Sequence, residues 1–352
     1  MEHSRLLEYL ETNKERLSPL LVLTHDYPDP DALASAYALA YLAERKFGIR
    51  GHIAYGGEVG RSENREMIRL LKIPAHKLRP TDYRSYPNVA LVDTQPGFDN
   101  NSFFPSRKAT IIIDQHPGVQ PPNAEFVFVD TEAGATSAIL ARELLASDVE
   151  IPTPLATALV YGILSDTLEF YRATNRETIE QYLRLLRYAD MHALARIQNP
   201  ARPRRFFGYL ASGIERSNIY GKLIVAHLGA VDSPDNVSQM ADFLLTCEGI
   251  QWAYCTGRYR ENLHMSLRTR LPDEQAGEVL RSVSNRPREA GGRGQIAGGK
   301  IKVGDRRDDE RWSELETTLT DRLLKRLGIS QRWRATPLTE SHSQDTNSPQ
   351  GV

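Results

Sequence analysis

Cysteine is nearly absent from this chain: among 352 residues only Cys247 and Cys255 occur. That excludes a disulfide framework and a cysteine-built metal site. Charge of one sign is missing too. With 44 Lys and Arg against 45 Asp and Glu the net charge is −1, so no global field draws long nucleic acid, although a local basic groove stays open. No run of about eighteen apolar residues exists, which excludes a membrane-spanning helix. The opening MEHSRLLEYLETNKERL is charged and amphipathic and lacks the apolar core of a signal peptide; the cytoplasm is the expected location. There is no internal repeat. The remaining composition, 40% hydrophobic and 25% charged, is ordinary for a soluble globular protein. The length suits about two domains, each with its own core.

What is present is acidic and clustered. Four short segments stand out: His25-Asp26-Tyr27-Pro28-Asp29-Pro30-Asp31, Val92-Asp93-Thr94, Asp114-Gln115-His116-Pro117 and Gly162-Ile163-Leu164-Ser165-Asp166-Thr167. Carboxylates and imidazoles are the ligands that hard and borderline divalent cations prefer. Contributed by separate strand–helix units, they converge only by lining one cleft, which would be a two-metal site suited to attack on phosphorus. Near the C-terminus, Gly291-Gly292-Arg293-Gly294 opens a Gly-rich stretch that runs to Gly299. Glycines there let backbone N–H groups approach a phosphate.

Leu20 to Thr24 reads as a buried strand, and residues 31–47 follow helical spacing through Leu33, Ala36, Tyr37, Ala40 and Tyr41. Further strands are expected at 53–55, 89–92, 110–113 and 126–129, and further helices at 61–72, 134–147, 154–165 and 176–189. Continuous Val/Ile/Leu strands between helices predict an α/β domain, a mostly parallel sheet flanked by helices. Ligands of such sheets sit beyond the carboxyl ends of the strands. Asp29, Asp93 and Asp114 all follow strands closely. Pro200, Pro203 and the basic ARPRRFFG stretch mark a connection. Beyond it, strands at 222–227, 251–258 and 262–269 with helices at 235–246, 274–284 and 309–327 predict a smaller α+β domain. The expected organisation is a metal-binding domain over 1–190, a linker over 191–215, a substrate-binding domain over 216–330 and a disordered, Ser/Thr/Gln/Pro-rich tail over 331–352.

Each motif also has a plainer reading. Asp31 can be a helix N-cap in a proline turn, and Asp93 can end a strand in an ordinary turn. Asp166 lies in an apolar helical context, where a carboxylate is costly unless paired or metal-bound. Gly134-Ala135-Thr136-Ser137 opens a predicted helix, and Thr or Ser at such places mostly cap. His52, His76, His192 and His264 lack acidic company and read as surface or core residues.

Taken together, THDYPDPDALASAYAL, LVDTQPG, IIIDQHPG and GILSDTLEF resemble the four ordered motifs of the DHH phosphoesterase superfamily, in its two-domain form with a DHH-associated C-terminal domain. The resemblance covers residues 15 to 325. It implies that His25, Asp29 and Asp93 hold one metal, usually Mn²⁺, and that Asp31, Asp93 and Asp166 hold a second, with Asp93 bridging. His116 matches a histidine beside the scissile phosphate that acts as acid or donor, next to Asp114. The sequence departs from the pattern at Gln115, where the family has the ligand histidine that gives Asp-His-His. An amide oxygen is a weaker ligand for a transition metal than imidazole, so the second site is expected to bind loosely, to take Mg²⁺, or to stand empty. A second departure is Arg293, where the family's glycine motif has His; its guanidinium fork suits phosphate. Ser266-Leu267-Arg268 resembles the family's Ser-x-Arg signature and adds Ser266 and Arg268 to the substrate contacts.

The sequence thus points to a phosphoric ester hydrolase acting through metal-activated water in a cleft between the two lobes. Its expected substrate is a small phosphorylated nucleotide or short oligonucleotide, as for an oligoribonuclease or a bisphosphorylated-nucleoside phosphatase. The rival is a weakly active or non-catalytic nucleotide- or nucleic-acid-binding protein of the same fold. A homodimer is left open.

Overall fold

The computed structural model describes residues 4–98, 100–104, 106–118, 122–171, 175–284, 289–304, 309–329 and 335–339. The chain divides into two compact units, Met1–Ala201 and Arg202–Val352.

The first unit is α/β. Its elements in order are α1 (Arg5–Leu17), β1 (Leu20–Leu23), α2 (Pro30–Phe47), β2 (Gly51–Tyr55), α3 (Ser62–Leu71), β3 (Ala75–Lys77), α4 (Asp82–Ser85), β4 (Asn88–Val92), β5 (Ala109–Asp114), β6 (Ala124–Val129), α5 (Thr136–Ala146), α6 (Thr153–Asp166), α7 (Arg176–Leu186) and α8 (Met191–Gln198). The six strands form one sheet in the order β3-β2-β1-β4-β5-β6, parallel throughout. Both faces are covered, which is why the strands are apolar without alternation. Leu20 and Val22 join a core with Leu33, Leu39 and Leu159, while Leu21 and Leu23 pack on the opposite face with Ala54, Leu91 and Ile112.

α2 starts where its sequence tells it to. Asp29 caps it, accepting from Ala32 N–H at 3.0 Å, Pro30 takes the first helical position, and Gly48 at φ 71° ends it. A side-chain cap of this kind contributes about 1 kcal/mol. The cap is therefore Asp29, and Asp31 lies in the first turn of the helix. Sheet order reverses around β1 and β4, which are neighbours although β2 and β3 intervene in the chain. Such a switch point opens a crevice at the carboxyl ends of its strands. β1 runs there into His25 and Asp29, and β4 into Asp93.

The second unit contains α9 (Arg204–Glu215), β7 (Ser217–Tyr220), β8 (Leu223–Ala230), α10 (Asp235–Leu244), β9 (Trp252–Tyr259), β10 (Asn262–Thr269), α11 (Ala276–Ser284), β11 (Ala290–Arg293), β12 (Ile296–Lys302), α12 (Asp309–Arg326) and β13 (Thr336–Pro337). The sheet order is β11-β12-β10-β9-β8-β7-β13, antiparallel except for β8 beside β9. α11 and α12 cover one face and α10 the other. Among the described residues no helix is long and apolar enough to cross a membrane.

Two expectations need correction. Residues 191–215 are not an irregular linker: they carry α8 and α9, and Pro203 precedes α9 as its N-cap residue. The prolines mark helix borders, since proline suits a helix start. The tail is not wholly without structure, because Thr336 and Pro337 pair with Ile219 and Asn218; ladder bonds between main chains need no distinctive side chains. Residues 331–334 and 340–352 of the expected tail lie outside the described residues. The Gly-rich segment, expected to cradle a phosphate, forms the β11–β12 hairpin. A Cβ on Gly292 would sit 2.2 Å from Ile296 O, and one on Gly277 would sit 2.4 Å from Gly292 O. These two glycines let α11, β11 and β12 close on each other, whereas Gly294, at φ 51°, makes the turn.

Candidate metal centre

His25 follows β1 and turns its Nε2 toward two carboxylates, 3.7 Å from Asp29 Oδ1 and 3.5 Å from Asp93 Oδ2. Bonds of ~2.1 Å to a common ion place neighbouring ligand atoms roughly 3.0–3.5 Å apart, so these three groups fit one divalent cation. The other ring nitrogen, Nδ1, is 2.9 Å from Asp26 O. That bond fixes the ring and leaves Nε2 as the ligating lone pair. Asp93 adopts φ 58° at the end of β4, a conformation Asp accepts better than most residues. Its backbone N–H bonds Ile113 O at 3.0 Å, and its Oδ1 accepts from the Thr136 hydroxyl at 2.8 Å.

A second group of potential ligands adjoins the first through Asp93. His116 Nδ1 lies 3.5 Å from Asp93 Oδ1 and 2.8 Å from Asp114 Oδ1. Asp114 is fully buried and accepts from His116 N–H at 3.1 Å on Oδ1, and from Gln95 Nε2 at 2.8 Å on Oδ2. The same Gln95 amide reaches His116 O at 2.7 Å. His116 is thus held at ring and main chain, with its Nε2 left for other company.

Asp31 sits among the other acids and is bonded to a helix. Its Oδ2 accepts from Thr136 N–H at 2.8 Å and its Oδ1 from Ser137 N–H at 2.7 Å, so it satisfies the first turn of α5. Gln115 donates its side-chain amide to Asp166. Oriented this way it offers Asp166 a proton donor and no lone pair. The donor types around Asp31, Asp93 and Asp166 suit a hard cation, and in the metal-free protein Gln115 turns its amide N–H toward Asp166. The sequence reading therefore gathers into one place: His25, Asp29, Asp31, Asp93, Asp114, Gln115, His116 and Asp166 all belong to one network in the first unit. It missed Gln95 and undervalued Thr136. The signals were a Gln two residues after Asp93 and a Thr opening a helix behind Gly134, whose φ of 73° lets the chain turn into it.

Electrostatics in the metal-free protein follow from packing acids together. Burial, then Asp93, Asp166 and Asp29, push the Asp31 carboxyl well above its usual range. Burial and Asp29 raise Asp93 against the opposing pull of the two histidines. For His25, burial opposes the charged ring, yet Asp29 and Asp93 outweigh it and raise its pKa well above 6.5. His116 rises for the same reason beside Asp114, Asp93 and Asp166. Asp29 keeps 45% of its side-chain exposure, so water limits the penalty of its burial; His25 and the Ala32 N–H hold it down at about 2. Such clustering strains the anionic forms until a cation is supplied.

The residues expected in the second unit lie on β10, β11 and the turn after it. Ser266 is buried, and its hydroxyl has no hydrogen-bond partner among the described residues. Arg268 is buried too, with Nε 2.6 Å from Asp242 Oδ1 and Nη1 bonded to Leu267 O and Ala297 O. The Gly291 backbone has open space where a Cβ would be. Arg293 ends β11.

Residues 19–163 match the family described as DHH family, N-terminal domain. The chain is 37% identical over 301 residues to an uncharacterized protein of Methanocaldococcus jannaschii, covering 85% of this chain and 61% of that protein. It is 25% identical over 155 residues to a probable manganese-dependent inorganic pyrophosphatase of Streptococcus pyogenes, covering 43% of this chain and 49% of that protein. The chain thus spans between about half and three-fifths of the length of these relatives. In fold it is similar to an exopolyphosphatase-related protein from Bacteroides fragilis, with a TM-score of 0.69 and 14% identity over 90% of this chain and 97% of that one.

Proposed function

Residues 19–163 make the first unit of this chain a DHH family domain, and on that premise we propose that the protein is a divalent-metal-dependent phosphoesterase acting on small phosphorylated nucleotides or short oligonucleotides. The observation that carries this reading is the ligand set of His25, Asp29 and Asp93 at the sheet's switch point, spaced for one ion. When bound, a divalent ion would supply Lewis acidity and a nucleophile at neutral pH. Mn²⁺ is the expected ion, in keeping with the mixed imidazole and carboxylate donors; Mg²⁺ is the alternative for the all-oxygen neighbourhood of Asp31 and Asp166.

In this reading Asp93 would be the residue common to both ligand groups, with Thr136 holding its Oδ1 and the left-handed turn fixing its place. Asp114 and Gln95 aim His116, whose Nε2 would protonate or hydrogen-bond a leaving oxygen. Asp31 ties the acids to α5 and keeps a lone pair on each oxygen. In the second unit the candidate phosphate contacts are Arg293, the Gly291, Gly292 and Gly294 backbone and the Ser266 hydroxyl, which has no partner among the described residues. Arg268 would have to leave Asp242 to join them.

The test is metal content and turnover together. Protein stripped with chelator and reloaded should bind Mn²⁺ and then release mononucleotide or phosphate from a panel of short oligoribonucleotides, bisphosphorylated nucleosides and dinucleotides, with inorganic pyrophosphate included. Binding of no ion, or turnover equal with and without metal, would refute the proposal.

A further inference from the structure

Tyr27 stands in the middle of the candidate metal-binding segment, two residues after His25 and two before Asp29. Its backbone is left-handed, φ 58°. That region is an outlier for a bulky side chain and is ordinarily filled by Gly, Asn or Asp. Burial does not repay the strain, because Tyr27 is 58% exposed.

The surroundings hold it firmly. Tyr27 N–H bonds Gly56 O at 3.0 Å, and Asp26 N–H bonds Asn100 O at 2.6 Å. Asp26 Oδ1 accepts from Ser102 Oγ at 2.8 Å, and Asn64 Nδ2 donates to Pro28 O at 3.1 Å. The ring lies against Gly57. A Cβ there would come within 2.9 Å of Tyr27 Cδ1 and Cε1, so only glycine leaves room for the ring. The ring therefore rests on the carboxyl edge of the sheet, on the β2–β3 side of His25, with much of its surface in solvent.

A strained main chain at a site, carrying an exposed aromatic on a rigid support, is an arrangement that serves a ligand. The ligand chemistry follows from the place. A phosphate held by a cation at His25, Asp29 and Asp93 would bring whatever is esterified to it close to the segment that carries Tyr27. A base offers a flat face to an aromatic ring, and stacking of this kind is indifferent to base identity. We propose that Tyr27 is the platform on which the nucleobase of the substrate stacks, so that it favours nucleotides over ring-free phosphates; this rests on reading the centre as a nucleotide phosphoesterase.

Isothermal titration of the Mn²⁺-loaded full-length chain with AMP and, separately, with orthophosphate tests it. The proteins compared are the unsubstituted chain, Tyr27→Phe, which keeps the ring, and Tyr27→Asn, which keeps a residue suited to the left-handed turn. AMP should bind the unsubstituted chain and Tyr27→Phe more tightly than orthophosphate does. Tyr27→Asn should weaken AMP about tenfold and leave orthophosphate and Mn²⁺ binding as they were. The stacking role is overturned if AMP binds Tyr27→Asn as before, if orthophosphate weakens in parallel, or if the unsubstituted chain binds orthophosphate but prefers AMP no more. A Mn²⁺-loaded chain that binds neither molecule overturns the phosphoesterase reading as well, which separates the two failures.

Discussion

Gln115 hydrogen-bonds Asp166 through its amide N–H, joining the loop after β5 to the end of α6 across 51 residues. The resemblance to the DHH motif implies a ligand histidine at this position; here an amide donor faces Asp166, the acid expected to take a second ion. Gln115→His should convert that donor into a ligand, since the side chains are similar in length and imidazole suits Mn²⁺. Titration calorimetry should find a single tight Mn²⁺ in the unsubstituted chain and a second tight ion in the variant. No gain in number or affinity would mean that residue 115 lies outside the metal shell.

Asp93 takes part in both groups of ligands and is held by Thr136 and the Ile113 carbonyl. Asp93→Asn keeps a residue at home in the left-handed turn and an oxygen for the Thr136 hydroxyl, but removes the charge. Turnover should fall by more than about a hundredfold, with the thermal midpoint of the metal-free protein unchanged or raised, because like charges are relieved. Phosphate release and a thermal melt read the two effects. Near-normal turnover would remove Asp93 from the centre.

Much of the first unit was legible in the sequence because its strands are buried on both faces and its acids follow them directly. The run of three isoleucines ending in Asp114 could hardly be read otherwise. What was hidden has physical reasons. The cap of α2 fell on Asp29 and not Asp31, since Pro30 between them fits the first helical position. Asp31's bonds to Thr136 and Ser137 span more than a hundred residues, and no local pattern encodes them. The Gly-rich segment suggested an anion cradle, yet the close approach of Gly277 to Gly292 explains at least that glycine by packing. β13 is too short for any periodicity.

Stability of the metal-free protein should depend on pH with a definite sign. His25 and His116 are raised above 6.5 in the fold, so their contribution is complete below 6.5 and lost as pH rises through their folded values. Asp31 and Asp93 are raised above 3.8; they too bind protons more tightly in the fold, and stability declines as pH rises past 3.8. Asp29, at about 2, acts oppositely, its contribution being lost only as pH falls from 3.8 through that value. Chelator-treated protein should therefore melt at progressively lower temperature between about pH 6 and pH 9. Mn²⁺-loaded protein should gain most over it at the alkaline end, since the ion needs deprotonated ligands. Parallel melting profiles with and without Mn²⁺ would contradict a cation at these residues.

The two arginines of the second unit should behave differently. Arg268 is 6% exposed and bonded to Asp242, Leu267 O and Ala297 O. Arg268→Ala would remove the donor that Asp242 Oδ1, Leu267 O and Ala297 O receive from this buried side chain, for a loss of about 1–3 kcal/mol. In urea the midpoint should drop with an unchanged slope. Arg293 is proposed to anchor a substrate phosphate away from the metal ligands, so Arg293→Ala should raise KM with kcat and urea midpoint little changed. The opposite pattern, with Arg268→Ala stable but weak in substrate binding, would mean that the Asp242 pair opens and that Arg268 is the anchor. Unchanged KM in Arg293→Ala would take Arg293 out of the substrate site.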